Sequence, residues 1–215
     1  MAGFTFPLAL PNIRGLKAAT WRLNKVVGIN TAPGSLATQV YEWPGERWEA
    51  DLTLPLMRGG DAADWLAWMM ALRGPVGSFL MAPPGIDQRG AAALAPGTPQ
   101  VDGNQNALSR QLAVKTTGLG NVARYFRAGD YFNLGSGATT RLHTVLQDAA
   151  LVSGKVTLDI APALRAAVAD NDPLTVVKPM GKFMMSAATV QTAIDSARRQ
   201  TPAAFTVFED LRPVT

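Results

Sequence analysis

The chain has 215 residues, 47% hydrophobic and 17% charged, with a net charge of +4, no cysteine and one histidine. A chain of this length holds one large or two small domains and buries about 70% of its unfolded surface, and its charge content, below the usual ~25%, suits a molecule that hides area in an assembly. Without cysteine there is no disulfide framework or thiolate zinc site, and one histidine excludes a multi-histidine metal centre, so no metal and no cofactor is expected.

Every long apolar stretch is broken by Pro, Gly or a charge well before about 18 residues, so nothing is expected to span a membrane. The start, Met1 to Pro7, lacks the positive opening and continuous apolar core of a signal peptide, which points to a product made in the cytoplasm. Arg14, Lys17, Arg22 and Lys25 all precede the first acidic residue, Glu42. Such a basic opening suits contact with a partner, a neighbouring subunit or DNA in transit. Spaced charges without a binding motif fit a solvated or subunit-facing edge better.

In chain order, residues 16 to 29 place Trp21, Leu23 and Val27 among basic residues, which predicts an edge strand or extended arm. Val40 to Trp43 leads through Pro44-Gly45 into the clearest alternation in the chain. Trp48, Ala50, Leu52, Leu54 and Leu56 fall on one face and Glu49, Asp51 and Thr53 on the other, so a hairpin turning at Pro44-Gly45 with one dry and one wet face is expected. The period then changes. Asp61, as helix cap, precedes a stripe of Trp65, Leu66, Trp68, Met69 and Leu72, and Gly74-Pro75 stops the helix. Trp48, Leu52, Leu54, Trp65, Trp68, Met69 and Leu72 are the expected core of this hairpin and helix.

Gly77 to Ala82 reads as a short strand. Ile86 to Ser109, rich in Gly, Ala, Pro, Gln and Asn, has no period and is expected to be a long loop reaching over a neighbour or mobile until assembly. Leu112 to Thr117 opens a second unit. Through residues 123 to 185, short alternating runs (131–134, 142–146, 156–160 and 174–177) are closed by turn signals at intervals of roughly ten residues, the spacing of an all-β sandwich, barrel or roll. Residues 187 to 199 fit a strand or a helix, with the strand preferred, and Ala204 to Leu211 closes the chain as a strand with Phe205 and Val207 on one side. The expected divisions are 1–85, the loop 86–110, a small antiparallel β-domain 111–185, and terminal strands 186–215 that return to the first unit.

Residues able to carry chemistry are sparse. Gly135-Ser-Gly-Ala-Thr-Thr has the glycines of a phosphate loop but no lysine after them, and Gly118-Leu-Gly-Asn is weaker, so both read as turns. His143 has no nucleophile-elbow partner and reads as structural. A glycoside hydrolase needs only two carboxylates, and Glu42, Glu46, Glu49, Asp51, Asp130, Asp148 and Asp159 are the candidates. A carbohydrate- or receptor-binding module would use exposed aromatics, with Tyr125, Phe126, Tyr131 and Phe132 as candidates.

The run from Gln39 to Met57, then Asp61 to Gly74, then Gly77-Ser-Phe-Leu-Met, resembles the N-terminal region of the distal tail proteins of long-tailed bacteriophages. Gly129-Asp-Tyr-Phe-Asn-Leu-Gly, Leu142 to Gln147, Ile160-Ala-Pro-Ala-Leu-Arg, Lys178-Pro-Met-Gly-Lys-Phe-Met-Met and Phe205-Thr-Val-Phe-Glu resemble the remaining, C-terminal part of the same proteins. The resemblance implies a mainly β chain: a β-sandwich-like, ring-forming domain with a flanking helix, plus a small C-terminal antiparallel barrel or roll. It implies a structural virion protein rather than an enzyme, without catalytic residues. Its ring, commonly hexameric, would join copies of itself to the tail tube, the hub and receptor-binding proteins and the tape measure. Arg14, Lys17, Arg22 and Lys25 match nothing in the family pattern and stand as candidate subunit or partner contacts.

Overall fold

The computed structural model describes residues 4–11, 15–58, 60–85, 88–94, 97–190, 192–194, 199–202 and 204–213. The strands are Leu8–Ala9 (β1), Ala18–Thr31 (β2), Thr38–Thr53 (β3), Met57–Arg58 (β4), Phe79–Met81 (β5), Gln100–Val101 (β6), Gln111–Lys115 (β7), Val122–Phe126 (β8), Tyr131–Leu134 (β9), Arg141–Val145 (β10), Ala149–Leu151 (β11), Lys155–Ala161 (β12), Leu174–Thr175 (β13), Gly181–Met185 (β14), Thr192–Ile194 (β15), Arg199–Pro202 (β16) and Phe205–Glu209 (β17). The α-helices are Gly60–Leu72 (α1) and Ala91–Leu94 (α2). The chain is mainly β with one clear helix, as its periodicities predict.

A six-stranded sheet runs β1-β5-β14-β17-β3-β2. The alternation of β3 is the reason it has a dry face. Trp48, Ala50 and Leu52, with Leu54 just beyond the strand, are buried, and α1 lays Ala62, Trp65, Met69 and Leu72 against them. Each large side chain hidden in this way contributes ~1.5 to 3 kcal/mol. Trp68, at the margin of the core, donates its indole N–H to Ala9 O at 2.8 Å. The helix begins at Gly60, so Asp61 lies in its first turn rather than at the cap, where its charge still suits the helix start. It ends because Arg73 and Gly74 both take positive φ, 54° and 65°, before Pro75. Leu56, expected on the dry face, is exposed because β3 has ended at Thr53.

The hairpin differs from the sequence expectation. β3 passes straight through Pro44-Gly45, and the turn lies at residues 32–37, closed by the Ala32 N–H to Ala37 O bond of 2.9 Å. The ladder shifts between Lys25↔Glu46 and Val27↔Glu42, so Trp43, Pro44 and Gly45 face Val26 alone. A bulge is where a strand tolerates proline, which has no N–H for the ladder.

The second six-stranded sheet runs β13-β9-β10-β12-β7-β6, and its two end strands meet. Val101 N–H donates to Asp172 O at 2.9 Å and Leu174 N–H to Pro99 O at 3.0 Å, with Gln100 bridging Pro173, so the sheet closes on itself as a small barrel. Its filling includes Leu112, Val114, Phe132, Leu158 and Ile160, and β8 and β11 pair beside it with Tyr125, Phe126 and Leu151 buried. The expected strand 174–177 shortens to Leu174–Thr175, and 142–146 shifts to Arg141–Val145 with Leu146 exposed.

Segment 86–110, expected to be a free or neighbour-reaching loop, is pinned to this barrel over its described residues. Asp130, buried at its turn, accepts the N–H groups of Arg89, Gly90 and Arg127, each at 2.8 Å. Gln88 exchanges two hydrogen bonds with the Tyr131 backbone at 2.7 and 2.9 Å, and α2 and β6 bury Ala92 and Val101. Side chain to backbone bonds leave no periodicity, which is why the pattern reads as loop.

Gly181–Met185, grouped in sequence with the second unit, pairs between β5 and β17 in the first sheet, and β17 pairs with β3. Residues 192–194 are a strand paired with β16, and the rest of that ambiguous stretch lies partly outside the described residues. The two units share a joint. Tyr131 and Leu142, from barrel strands, belong to the first core, Trp48 stacks on Trp21 with ring centroids 5.4 Å apart, and the Trp48 indole N–H donates to Leu142 O at 3.0 Å.

Candidate assembly surface

The hairpin β2–β3 is covered at its root and bare at its tip. At the root, Ala19, Trp21 and Leu23 stand opposite Leu52, Ala50 and Trp48 on the dry face. Beyond the bulge, five residues of β2 pair with five of β3, Val27 to Thr31 with Thr38 to Glu42, and with the bulge this arm reaches about 20 Å. Ile29 and Val40 pair on one face and are 71% and 62% exposed; Tyr41 and Trp43 on the other face are 54% and 52% exposed. None of the four packs into either core. Trp43 lies over Gly28, where an added Cβ would sit 2.7 Å from the indole. An isolated two-stranded ribbon is marginal in water, and no described residue packs these apolar side chains into a core. The outer edge of β2 is also an end of the sheet, so its alternate backbone groups are open to pairing.

Two ionic clusters fix the arm's root. On the wet face Arg22 pairs with Glu49 at 3.2 Å and with Asp51, Arg47 pairs with Glu49 at 2.8 Å, and Thr206 donates to Asp51 at 2.6 Å. On the other face Glu46 is buried where the hairpin meets the barrel. It takes Arg110 at 2.8 Å, Lys25 at 3.3 Å and the Ala163 N–H at 3.2 Å, and Arg110 also reaches Glu42 at 2.6 Å. Burial works to raise the Glu46 carboxyl, but the bonds from Arg110 and Ala163 and the Lys25 charge outweigh it and hold the pKa below the usual range.

These contacts place the sequence candidates. Arg22 and Lys25 are spent on carboxylates of β3, Lys17 is exposed at the sheet edge, and Arg14 lies outside the described residues. Two of the three described cations are thereby neutralised by cross-strand partners. Glu42, Glu46, Glu49 and Asp51 are held in ion pairs, and Glu49, expected on a wet face, is buried under Arg22 and Arg47. Asp148 accepts the Ala128 N–H and pairs with Arg124, and Asp159 accepts from Gln111. Tyr125, Phe126, Tyr131 and Phe132 are all buried, so the expected aromatic sugar platform is core instead.

His143 is buried, stacked on Phe132 at 5.5 Å, with Nδ1 2.8 Å from Pro162 O. Its pKa is pushed down to about 4 by burial, against the Pro162 bond, with Arg165 and Arg141 adding to the depression. It is a neutral structural ring. The glycines at 135 and 137 sit in a turn around the short 3-10 segment Gly137–Thr139. Sequence reasoning missed the cluster where β17 meets the barrel: Arg165 binds Glu209 at 2.6 Å, and Asp210 takes Lys182 at 3.3 Å and Arg212 at 2.8 Å. Arg165 and Lys182 lie far in sequence from the 209–212 stretch, and only their charges hinted at the cluster.

Among the described residues no group of three or more His, Asp or Glu is placed to hold a metal ion, and no helix is long and apolar enough to cross a membrane. No protein-family model matches the chain, and no curated protein matches it.

Proposed function

We propose that this protein is a structural component of a bacteriophage tail tip, a distal tail protein whose copies assemble into a ring joining the tail tube to the hub and receptor-binding parts. The observation that carries the reading is the tip of the β2–β3 hairpin, whose apolar side chains on both faces are more than half exposed among the described residues. A solitary molecule gains nothing from Ile29, Val40, Tyr41 and Trp43 in water, whereas copies in a head-to-tail ring cover each other's arms and edges. The resemblance of residues 39 to 211 to the distal tail proteins and the low overall charge support the same assignment. Affinity in such a ring comes from broad contact area rather than from a chemical centre. The proposed setting is the virion, with the tail tube, hub and tape measure as neighbours and copies of the chain as first partner.

Negative-stain imaging of the purified chain, alone and mixed with the tail tube protein of the same virion, tests this. Discrete rings in either sample are the expected result. Monomers in both, at high concentration, contradict it.

A further inference from the structure

We propose that the notch between Arg141 and Pro44 is a docking site for a carboxylate carried on a partner polypeptide, an acidic side chain flanked by apolar residues. Arg141 opens β10 and is half-buried. Its Nη1 donates to Thr140 O at 3.0 Å, and among the described residues no carboxylate forms an ion pair with it. The nearby acids are already taken. Glu209 receives Arg165 at 2.6 and 3.4 Å and the Trp48 N–H at 3.2 Å, while Asp210 receives Lys182 and Arg212. Glu209 and Asp210 attract Arg141 without forming an ion pair with it, since they are already bonded to Arg165, Lys182 and Arg212. Burial pushes the Arg141 guanidinium pKa down and outweighs the pull of Glu209 and Asp210, with Arg165 adding a smaller push in the same direction.

Two cavities flank this guanidinium. One, of about 300 Å³, contains Asp172, whose carboxylate disfavours an anion there. The other, of about 410 Å³, is walled by Pro44, Leu108, Ala163, Leu164, Leu211 and Pro213 and holds no carboxylate, so this is the side assigned. A planar guanidinium fork matches a carboxylate, and aliphatic walls match apolar neighbours of the acidic residue. Arg165 also lines this side but is bonded to Glu209, and the described lining includes no lysine and no hydroxyl side chain. Pro44 belongs to the bulge at the base of the bare arm, so an occupant would lie beside the assembly surface. The identity of the partner as a member of the same assembly rests on the function proposed above; the site itself rests on Arg141.

Calorimetric titration of the full chain with acetyl-Leu-Asp-Leu-amide, acetyl-Leu-Asn-Leu-amide and inorganic phosphate is the test. The expected result is saturable binding of the acidic peptide alone, weakened about tenfold or more in Arg141→Gln, with a smaller loss in Arg141→Lys, which keeps the charge without the fork. Arg141→Lys serves alone if Arg141→Gln does not fold. No binding of the acidic peptide, equal binding of the neutral one, or unchanged affinity in the variants overturns the site. Phosphate binding tighter than the peptide overturns the carboxylate assignment. Sizing of the same samples separates the two claims: a monomer that binds the peptide sinks the ring and keeps the site, and a ring that does not bind sinks the site alone.

Discussion

The root and the tip of the β2–β3 hairpin are one continuous ladder, yet only the root has a core beneath it. At the root, side chains of alternating character meet α1 and the barrel on one side and water on the other. At the tip both faces carry large apolar groups that are more than half exposed among the described residues. Backbone pairing therefore sets the shape of the whole arm, while burial sets the stability of its inner half only. Among the described residues nothing comparable packs against the outer half.

That contrast yields a graded series of effects. Phe183→Ala should cost most, because Phe183 is fully buried between Trp21 and Phe79 in the first core; a loss of ~3 to 5 kcal/mol is expected as a lower urea midpoint. A value below about 1 kcal/mol would mean that the root is not held by this core.

Next comes acidity. The folded pKa of His143, about 4, lies below its ordinary 6.5, so the unfolded chain binds the proton first and stability falls as pH drops from 6.5 towards 4. The full depression corresponds to about 3 kcal/mol. Carboxylates held low, such as Glu46 and Asp210, add losses only below about pH 4.5, whereas burial raises the Glu209 carboxyl and works in the opposite sense, so the share of this histidine, the only one in the chain, is the difference between native and variant. Thermal unfolding should show a steeper loss of stability on acidification in the native sequence than in His143→Gln.

Glu46→Gln should have an intermediate effect, ~1 to 2 kcal/mol, since Arg110 keeps its pair with Glu42 and Lys25 is exposed enough to regain water. Hydrogen exchange should rise at the bulge and at Ala163 before it rises in α1. Exchange unchanged at both places would show that the joint is held by packing alone. The smallest stability effect is expected at the tip, where Ile29→Thr with Val40→Thr should stay within about 0.5 kcal/mol by urea unfolding while removing self-association.

Elements whose residues meet close neighbours are legible in the sequence. The stripe Trp65, Met69 and Leu72 and the alternation from Trp48 to Leu52 each report a buried face directly. The hairpin turn is misplaced by sequence because Pro44-Gly45 resembles a turn in one dimension, whereas in the sheet it is a bulge opposite Val26. Segment 86–110 reads as a free loop because Asp130 and Gln88 hold it through backbone bonds that impose no period. Strand β14 falls in the wrong unit since pairing partners about a hundred residues away, Phe79 and Met81, leave no local trace. The candidate surface is half visible. Arg22 and Lys25 stand out by charge but are spent within the chain, while Ile29, Val40, Tyr41 and Trp43 look like ordinary strand residues until the structure removes everything above and below them.

Sedimentation velocity across a concentration series, comparing the native sequence with Ile29→Thr plus Val40→Thr, tests the central claim most directly. A native chain that shifts to a discrete oligomer, beside a folded variant that stays monomeric, is the predicted result. Identical sedimentation of the two, whether both monomeric or both assembled, would contradict the role given to the arm.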